Sequence, residues 1–122
     1  MVSRFVLAER TQLHLHQISR WCQHRVLPQV RDQVSVEHQV QGRTVTIVER
    51  RPPWSPALGP EWTTMPVAQL RYAPPRPTGG RWRLYWADRN RRWHLLDDVL
   101  PAATPAPLLA ELDTDPTGIF WG

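Results

Sequence analysis

The first part of the chain carries mainly apolar residues at intervals of three or four. The series is Leu7, Thr11, Leu15, Ile18, Cys22 and Val26. Side chains at these intervals share one face of an α-helix. Pro28 cannot continue such a helix, because proline lacks the backbone N–H that an interior position donates. The pattern predicts an amphipathic helix that ends near Pro28.

From Val34 to Val40 the pattern changes to strict alternation, which is typical of a half-buried strand. Gly42 and Arg43 follow as a two-residue hairpin turn, in which glycine readily takes positive φ. Residues 44–51 then return antiparallel. This turn predicts that Val40 faces Val45, His38 faces Ile47 and Val36 faces Glu49.

Three further strands and a short helix are predicted after that hairpin. The predicted strands are residues 67–72, 81–87 and 91–97, separated by Pro-rich or Pro/Gly loops at 52–62 and 73–80. We take Arg89 and Asn90 as the turn of the last hairpin. That register pairs Trp86 with Trp93, Leu84 with Leu95, Trp82 with Asp97 and Tyr85 with His94. The short helix covers residues 106–112.

These elements predict an α+β fold in a single domain of residues 1–122, a length that suits one domain. It has an N-terminal helix, a mainly antiparallel meander sheet of about five strands, a short C-terminal helix and an aromatic tail. The tail, residues 118–122, either fills a gap in the core or is displayed for a partner. Filling is the favoured interpretation, because exposed rings would make the terminus sticky.

Charge is distributed unevenly along the chain. There are 15 Arg and no Lys, and the net charge is +4. Residues 1–42 carry +2, residues 43–92 carry +7 and residues 93–122 carry −5. A basic middle segment suits a nucleic-acid partner. Neutralisation of one segment by the other within the fold, and a genomic preference for Arg, are the alternatives.

Cysteine content and hydropathy indicate where the protein works. Cys22 is the only cysteine, so no disulfide framework can form within one chain. No apolar stretch approaches the roughly 18 residues of a membrane span. The apolar run at residues 5–8 is too short for the core of a signal peptide. We therefore expect a cytoplasmic protein with no membrane partner.

The last predicted hairpin combines arginine and aromatic residues on one face. Tyr85, Arg83, Arg92 and His94 are its members, with Arg81, Arg89 and Arg91 beside them. Single-stranded nucleic acid is held in this way, because rings stack on bases while guanidinium groups bind phosphate. The alternative is a solvated sheet face whose cross-strand pairs only stabilise the hairpin.

Catalysis and metal binding have weaker support. His94, Tyr85 and Glu49 are the candidate catalytic residues of a metal-independent ribonuclease. Glu49 is more simply explained as one half of a structural ion pair with Arg51, Arg71 or Arg89. His14 and His16 are two residues apart on a helix and point in different directions, so they cannot chelate one ion. We expect no metal and no cofactor, and the sequence favours a binding protein over an enzyme.

Several motifs resemble a bacterial family of unknown function, catalogued as domain of unknown function 3024. They are residues 49–54 (Glu-Arg-Arg-Pro-Pro-Trp), Pro66-Val67-Ala68, Arg71-Tyr72, Trp82-x-x-Tyr85-Trp86, Trp93-His94 and residues 118–122 (Gly-Ile-Phe-Trp-Gly). The resemblance spans nearly the whole chain. It implies a self-contained small domain and supplies no activity.

Three functional hypotheses follow from the sequence. The first is a small RNA-binding or other nucleic-acid-binding protein that uses the basic and aromatic sheet face. The second is a protein-interaction module that uses the Pro-rich loops or the aromatic tail. The third is the metal-independent ribonuclease.

Overall fold

The computed structural model of the protein describes residues 2–74 and 80–121, with side chains from residue 12 onward. Its elements are α1 (Val2–Arg25), β1 (Ser35–Gln41), β2 (Thr44–Arg51), β3 (Thr63–Ala73), β4 (Arg81–Ala87), β5 (Trp93–Leu95) and α2 (Ala106–Thr114). Short 3₁₀ turns cover Pro28–Val30 and Pro56–Leu58. The predicted α+β architecture is confirmed. The expectations for the side chains of Leu7 and Thr11, for residues 75–79 and for Gly122 lie outside the described residues.

The five strands form one antiparallel sheet in the order β1-β2-β3-β4-β5, which is the predicted meander. The register predicted for the first hairpin is also confirmed, with Val40–Val45, His38–Ile47 and Val36–Glu49 as pairs. Gly42 has φ +60° at the first of the two turn positions, as a type II′ turn requires.

The two helices cover one face of this sheet, which we call the inner face. The even-numbered residues of β4 lie on this face, together with their cross-strand partners on the other strands. The sheet contributes Val36, Val45, Ile47, Ala68, Leu70, Trp82 and Leu84; α1 contributes Ile18 and Cys22; α2 contributes Leu108, Leu109 and Leu112. These side chains are all buried, so the predicted stripe on α1 and the alternation in the strands have produced one common core.

The aromatic tail packs against this core. Asp115 ends α2 in the left-handed conformation, and its carboxylate accepts the backbone N–H groups of Phe120 and Trp121 at 3.2 and 2.9 Å. The indole N–H of Trp121 donates to the carbonyl oxygen of Leu112 at 2.8 Å. Phe120 and Trp121 are half-buried against the core. The structure therefore supports the interpretation in which the tail fills a gap.

The register predicted for the last hairpin is wrong by one residue. The observed pairs are Tyr85–Leu95, Trp86–His94 and Ala87–Trp93, and Trp82 pairs with Ala102 instead of Asp97. The loop has three residues rather than two, because Arg91 follows the turn at Arg89-Asn90 with φ +61°. A type I turn followed by one left-handed residue is a common three-residue hairpin loop. The extra residue reverses the face of each side chain in β5.

Candidate nucleic-acid interface

The face of the sheet opposite the helices, the outer face, carries polar and charged side chains on its β3 and β4 strands. Gln69 lies opposite Tyr85, Arg71 opposite Arg83 and Ala73 opposite Arg81. Cross-strand partners share one face, with Cβ atoms roughly 5 Å apart. These odd-numbered β4 residues alternate with the buried Trp82 and Leu84. Arginine and tyrosine are therefore held on an outward surface by the same periodicity that builds the core.

Arg71 and Tyr85 form the best-defined contact of this face. The guanidinium carbon of Arg71 lies 3.9 Å from the centroid of the Tyr85 ring, a cation–π geometry. Arg71 also donates from Nε and Nη2 to Oε1 of Gln69 at 3.1 and 2.9 Å. Gln69 in turn donates to the hydroxyl of Thr46 at 3.0 Å. This series of contacts, from β2 through β3 to β4, orders the guanidinium group against the ring.

Arg83 is directly opposite Arg71 and is exposed. Like charges in that position repel each other. Within the described part of the chain, Arg83 has no carboxylate partner. Two cationic groups on adjacent strands, neither of them paired with a carboxylate among the described residues, are suited to receive an anion such as a phosphate.

Strand β5 adds Trp93 and Leu95 to the outer face. Leu95 lies opposite Tyr85, and Trp93 lies opposite Ala87, two residues farther along β4. Trp93 is thus a diagonal neighbour of Tyr85, a relation in which large rings on one face can reach each other. Sequence reasoning had given this place to His94, and the one-residue error in register explains why it overlooked Trp93.

The predicted binding residues are divided among three places. Arg81, Arg83 and Tyr85 are on the outer face as expected. The guanidinium group of Arg81 donates to the carbonyl oxygen of Gly80 at 3.0 Å. Arg89 and Arg91 are exposed in the three-residue β4–β5 loop, and Arg92 is exposed directly after it. His94 belongs to neither group, because its pairing with Trp86 places it on the opposite side of the sheet.

His94 has two contacts that determine its position. Its ring stacks on Trp86, with centroids 4.7 Å apart and planes inclined by 28°. Its Nε2 atom lies 2.8 Å from Oδ2 of Asp88. Oδ1 of Asp88 accepts the backbone N–H groups of Asn90 and Arg92 at 2.8 and 3.0 Å. The hydrogen bond to His94, followed by the one from Arg92, lowers the pKa of Asp88 below its ordinary value.

The three candidate catalytic residues do not converge. Tyr85 and His94 are on opposite faces of the sheet. Glu49 is on the inner side, opposite Met65, four residues along β3 from the partner of Tyr85, a distance of about 13 Å. Its carboxylate binds Nε of Arg51 at 2.8 Å, one of the ion pairs that the sequence suggested. The arrangement offers no shared position for a reacting atom.

Metal-ligating and nucleophilic side chains have structural roles. Nδ1 of His14 accepts the indole N–H of Trp82 at 2.9 Å. Burial, together with the nearby charge of Glu37, raises the pKa of the Cys22 thiol to about 12, so this thiol behaves as a small apolar group. Across the side chains of residues 12–74 and 80–121, no group of three metal-ligating residues is assembled.

Fold and site together define a small α+β domain in which two helices cover one face of a five-stranded meander and the other face carries arginine and aromatic residues. The chain belongs to the family described as Domain of unknown function (DUF3024), whose model matches residues 5–122. No curated protein and no solved structure has a significant match to the chain. In the part of the chain that the structure describes, no helix is long and apolar enough to cross a membrane.

Proposed function

We propose that this domain binds single-stranded nucleic acid, RNA in preference to DNA, on its outer face. The observation that carries the proposal is the ordered Arg71–Tyr85 contact at 3.9 Å, with Arg83 directly opposite Arg71. Arg83 has no carboxylate partner among the described residues. An arginine next to an aromatic ring offers both of the interactions that single strands use, phosphate contact and base stacking.

Binding would combine two contributions from this face. Arg83, Arg71 and the basic segment of residues 43–92, whose net charge is +7, attract phosphates, and this attraction weakens with salt because counterions are released on binding. Tyr85 and Trp93 are the rings available for bases. Stacking on such rings contributes about 1–3 kcal/mol per base, and a guanidinium plane that lies on a ring extends the stacking surface.

RNA is the preferred ligand because unpaired, splayed bases on aromatic side chains are the usual basis of protein recognition of single-stranded RNA. The proposal includes a cytoplasmic location, where such RNA is accessible. The candidate residues are therefore Arg71, Arg83, Tyr85 and Trp93, with Arg81 at the border of the face.

The test is binding of the purified protein to mixed-sequence single-stranded RNA, single-stranded DNA and duplex RNA over a salt series. We expect Arg83→Glu to weaken RNA binding and to reduce the salt dependence. Arg20→Glu, an equal charge reversal on the exposed side of α1, is the matched control. Equal effects of the two reversals would mean that only net charge matters and would refute an outer-face site.

A second variant separates the outer face from the hairpin loop. Arg92→Glu changes the arginine directly after the loop, which the sequence had placed beside Arg83, and we expect it to weaken binding less than Arg83→Glu does. Tyr85→Phe keeps the ring and serves as the control for Tyr85→Ala, which removes the stacking surface. If Tyr85→Ala binds RNA as tightly as Tyr85→Phe, base stacking at this residue is excluded.

A protein-interaction function has one observation in its favour. Trp54, in the Pro-rich connection after β2, is 88% exposed, and Leu58 in the same connection is 57% exposed. Large exposed apolar groups on a loop commonly mark a contact surface. Trp54→Ala should abolish capture of a protein partner without altering RNA binding. The ribonuclease hypothesis has no comparable support, because Tyr85 and His94 face opposite sides of the sheet.

A further inference from the structure

The two edge strands of the sheet differ in length and regularity. At the β5 edge the strand has only three residues, and the chain after it stays bonded to β4. Leu96 donates its N–H to the carbonyl oxygen of Leu84 at 2.9 Å, and Ala102 exchanges two hydrogen bonds with Trp82 at 2.6 and 2.9 Å. At the other edge, β1 pairs with β2 over seven consecutive residues. The β5 edge is therefore short and irregular, and the β1 edge is long and regular.

The hydrogen-bonding direction along β1 follows from its turn. Gln41 and Thr44 close a two-residue loop, so they form a hydrogen-bonded pair, and bonded pairs then recur at every second residue. The bond from Tyr72 N–H to the carbonyl oxygen of Arg43 at 2.9 Å shows the same alternation on the far side of β2. The backbone N–H and C=O groups of Val36, His38 and Val40 consequently point away from the sheet. Among the described residues they have no backbone partner on that side.

This edge lacks the features by which proteins usually block strand pairing. Blocking is achieved with lysine, proline, bulges or very short strands, and β1 has none of them. Its single charged residue, Glu37, is occupied by the Ser35 hydroxyl at 2.7 Å and by Arg50 at 3.4 Å. Val40 is 49% exposed although it is apolar.

We propose that the free edge of β1 pairs antiparallel with the same edge of a second copy of this chain, so that two five-stranded sheets form one continuous sheet. His38 is the midpoint of Ser35–Gln41. A two-fold axis at His38 gives hydrogen-bond partners to the outward backbone N–H and C=O groups of Val36, His38 and Val40 in each copy. Val36 then lies opposite Val40 of the second copy, and Glu37 lies opposite Gln39 of the second copy. Such an isologous contact closes on itself and gives a dimer.

A groove beside β1 favours a second copy as the occupant. It lies between the end of α1 and the start of β1 and is lined by Val26, Val34, Val36 and Cys22, with Arg31 at its border. The two-fold pairing brings the exposed Val40 of the second copy to Val36, at this groove. Both copies would therefore bury an apolar side chain that is exposed in the monomer, and strand β1 with its single negative charge offers little repulsion.

Lysine substitutions at two adjacent residues, which should change the dimer affinity in opposite directions, test this register. In sedimentation velocity over a concentration series, we expect the native chain to pass from monomer to dimer. Val40→Lys, which places a charge at the groove, should weaken the dimer by at least about tenfold, equivalent to 1.4 kcal/mol. Gln39→Lys should preserve or tighten it, because the new charge lies opposite Glu37 of the second copy. His38→Pro should abolish it while keeping β1 paired with β2, because only an outward N–H is removed.

A cross-link provides a second readout. In a hydrogen-bonded antiparallel pair the Cα atoms are about 5.5 Å apart, within the range that a disulfide spans. His38→Cys should therefore give a covalent dimer under mild oxidation, whereas Gln41→Cys, at the end of the strand, should not. The native thiol will not interfere, since Cys22 is buried with its pKa raised to about 12.

Two results would overturn the proposed β1–β1 dimer. A native chain that stays monomeric at all concentrations would overturn the proposal. So would a dimer that Val40→Lys and His38→Pro leave unchanged while His38→Cys fails to cross-link, because the contact would then lie elsewhere. Circular dichroism of each variant verifies that the fold is retained. None of these results depends on nucleic-acid binding.

Discussion

The β1–β2 and β4–β5 hairpins belong to one sheet, yet their turns are held by different groups. In the first, Gly42 adopts φ +60° within a two-residue turn, a conformation available to glycine without steric cost. In the second, Arg91 adopts φ +61°, a conformation that costs an L-residue about 1–2 kcal/mol. There the carboxylate of Asp88 holds the loop by accepting two of its backbone N–H groups.

The difference shows how a loop side chain can determine the composition of a surface on the adjoining strand. The main chain itself sets the register in the β1–β2 hairpin. In the β4–β5 hairpin the register depends on a three-residue loop stabilised by Asp88, and a shift of one residue exchanges the faces of β5. Trp93, rather than His94, therefore accompanies Tyr85 on the outer face.

The largest effect is expected from Asp88→Ala, which removes three hydrogen-bond contacts at once: those to Asn90, Arg92 and His94. We expect β5 to lose its ordered pairing and the ring contact between Trp86 and His94 to disappear. Nuclear Overhauser effects between the two rings would measure this. Asp97→Ala removes an exposed carboxyl from the same segment and is the control. If the ring contacts persist in Asp88→Ala, the carboxylate does not determine the register.

Gly42→Val should lower the free energy of unfolding by about 1–2 kcal/mol, because a side chain disfavours positive φ. A Cβ atom at residue 42 would meet no atom within 4 Å, so backbone conformation alone is tested. Denaturant unfolding gives the value. Arg43→Val, at the second turn position, is the comparison, and equal losses for both variants would contradict the proposed cause.

Arg91→Gly should have the reverse effect on the second hairpin. Glycine relieves the left-handed strain of Arg91, although it also raises the entropy of the unfolded chain. We expect a net gain of about 0.5 kcal/mol in the free energy of unfolding. Arg89→Gly introduces glycine where φ is not positive and should give no gain. A loss in Arg91→Gly would show that the loop conformation is not strained.

The smallest effect is a local response to acid. The hydrogen bond from His94, followed by the one from Arg92, holds the pKa of Asp88 below its ordinary 3.8. A lowered pKa means that the contribution of Asp88 to stability is complete above about 3.8 and is lost as the pH falls through the lower folded-state pKa. The amide signals of Asn90 and Arg92 should shift in that acid range. The amide of Thr44, at a turn with no carboxylate, should not shift with them.

The candidate site was predictable in part. Arg83 and Tyr85 alternate with Trp82 and Leu84, and this alternation alone places them on the face away from the core. Arg71 was not predictable as their neighbour. Its contact with Tyr85 depends on the register of β3 against β4, and the Pro/Gly connection between these strands does not fix that register. In the sequence it could only be named as one of several partners for Glu49.

By itself, the sequence determined the order of the elements, the meander and the register of the first hairpin. Those features follow from local periodicity and from a glycine turn whose conformation depends on few residues. The tertiary structure decided which residues share the outer face at β5, what holds Arg71, and where the aromatic tail packs. These depend on a side-chain hydrogen bond within a loop and on contacts between residues distant in the chain, and neither has a periodic signal in the sequence.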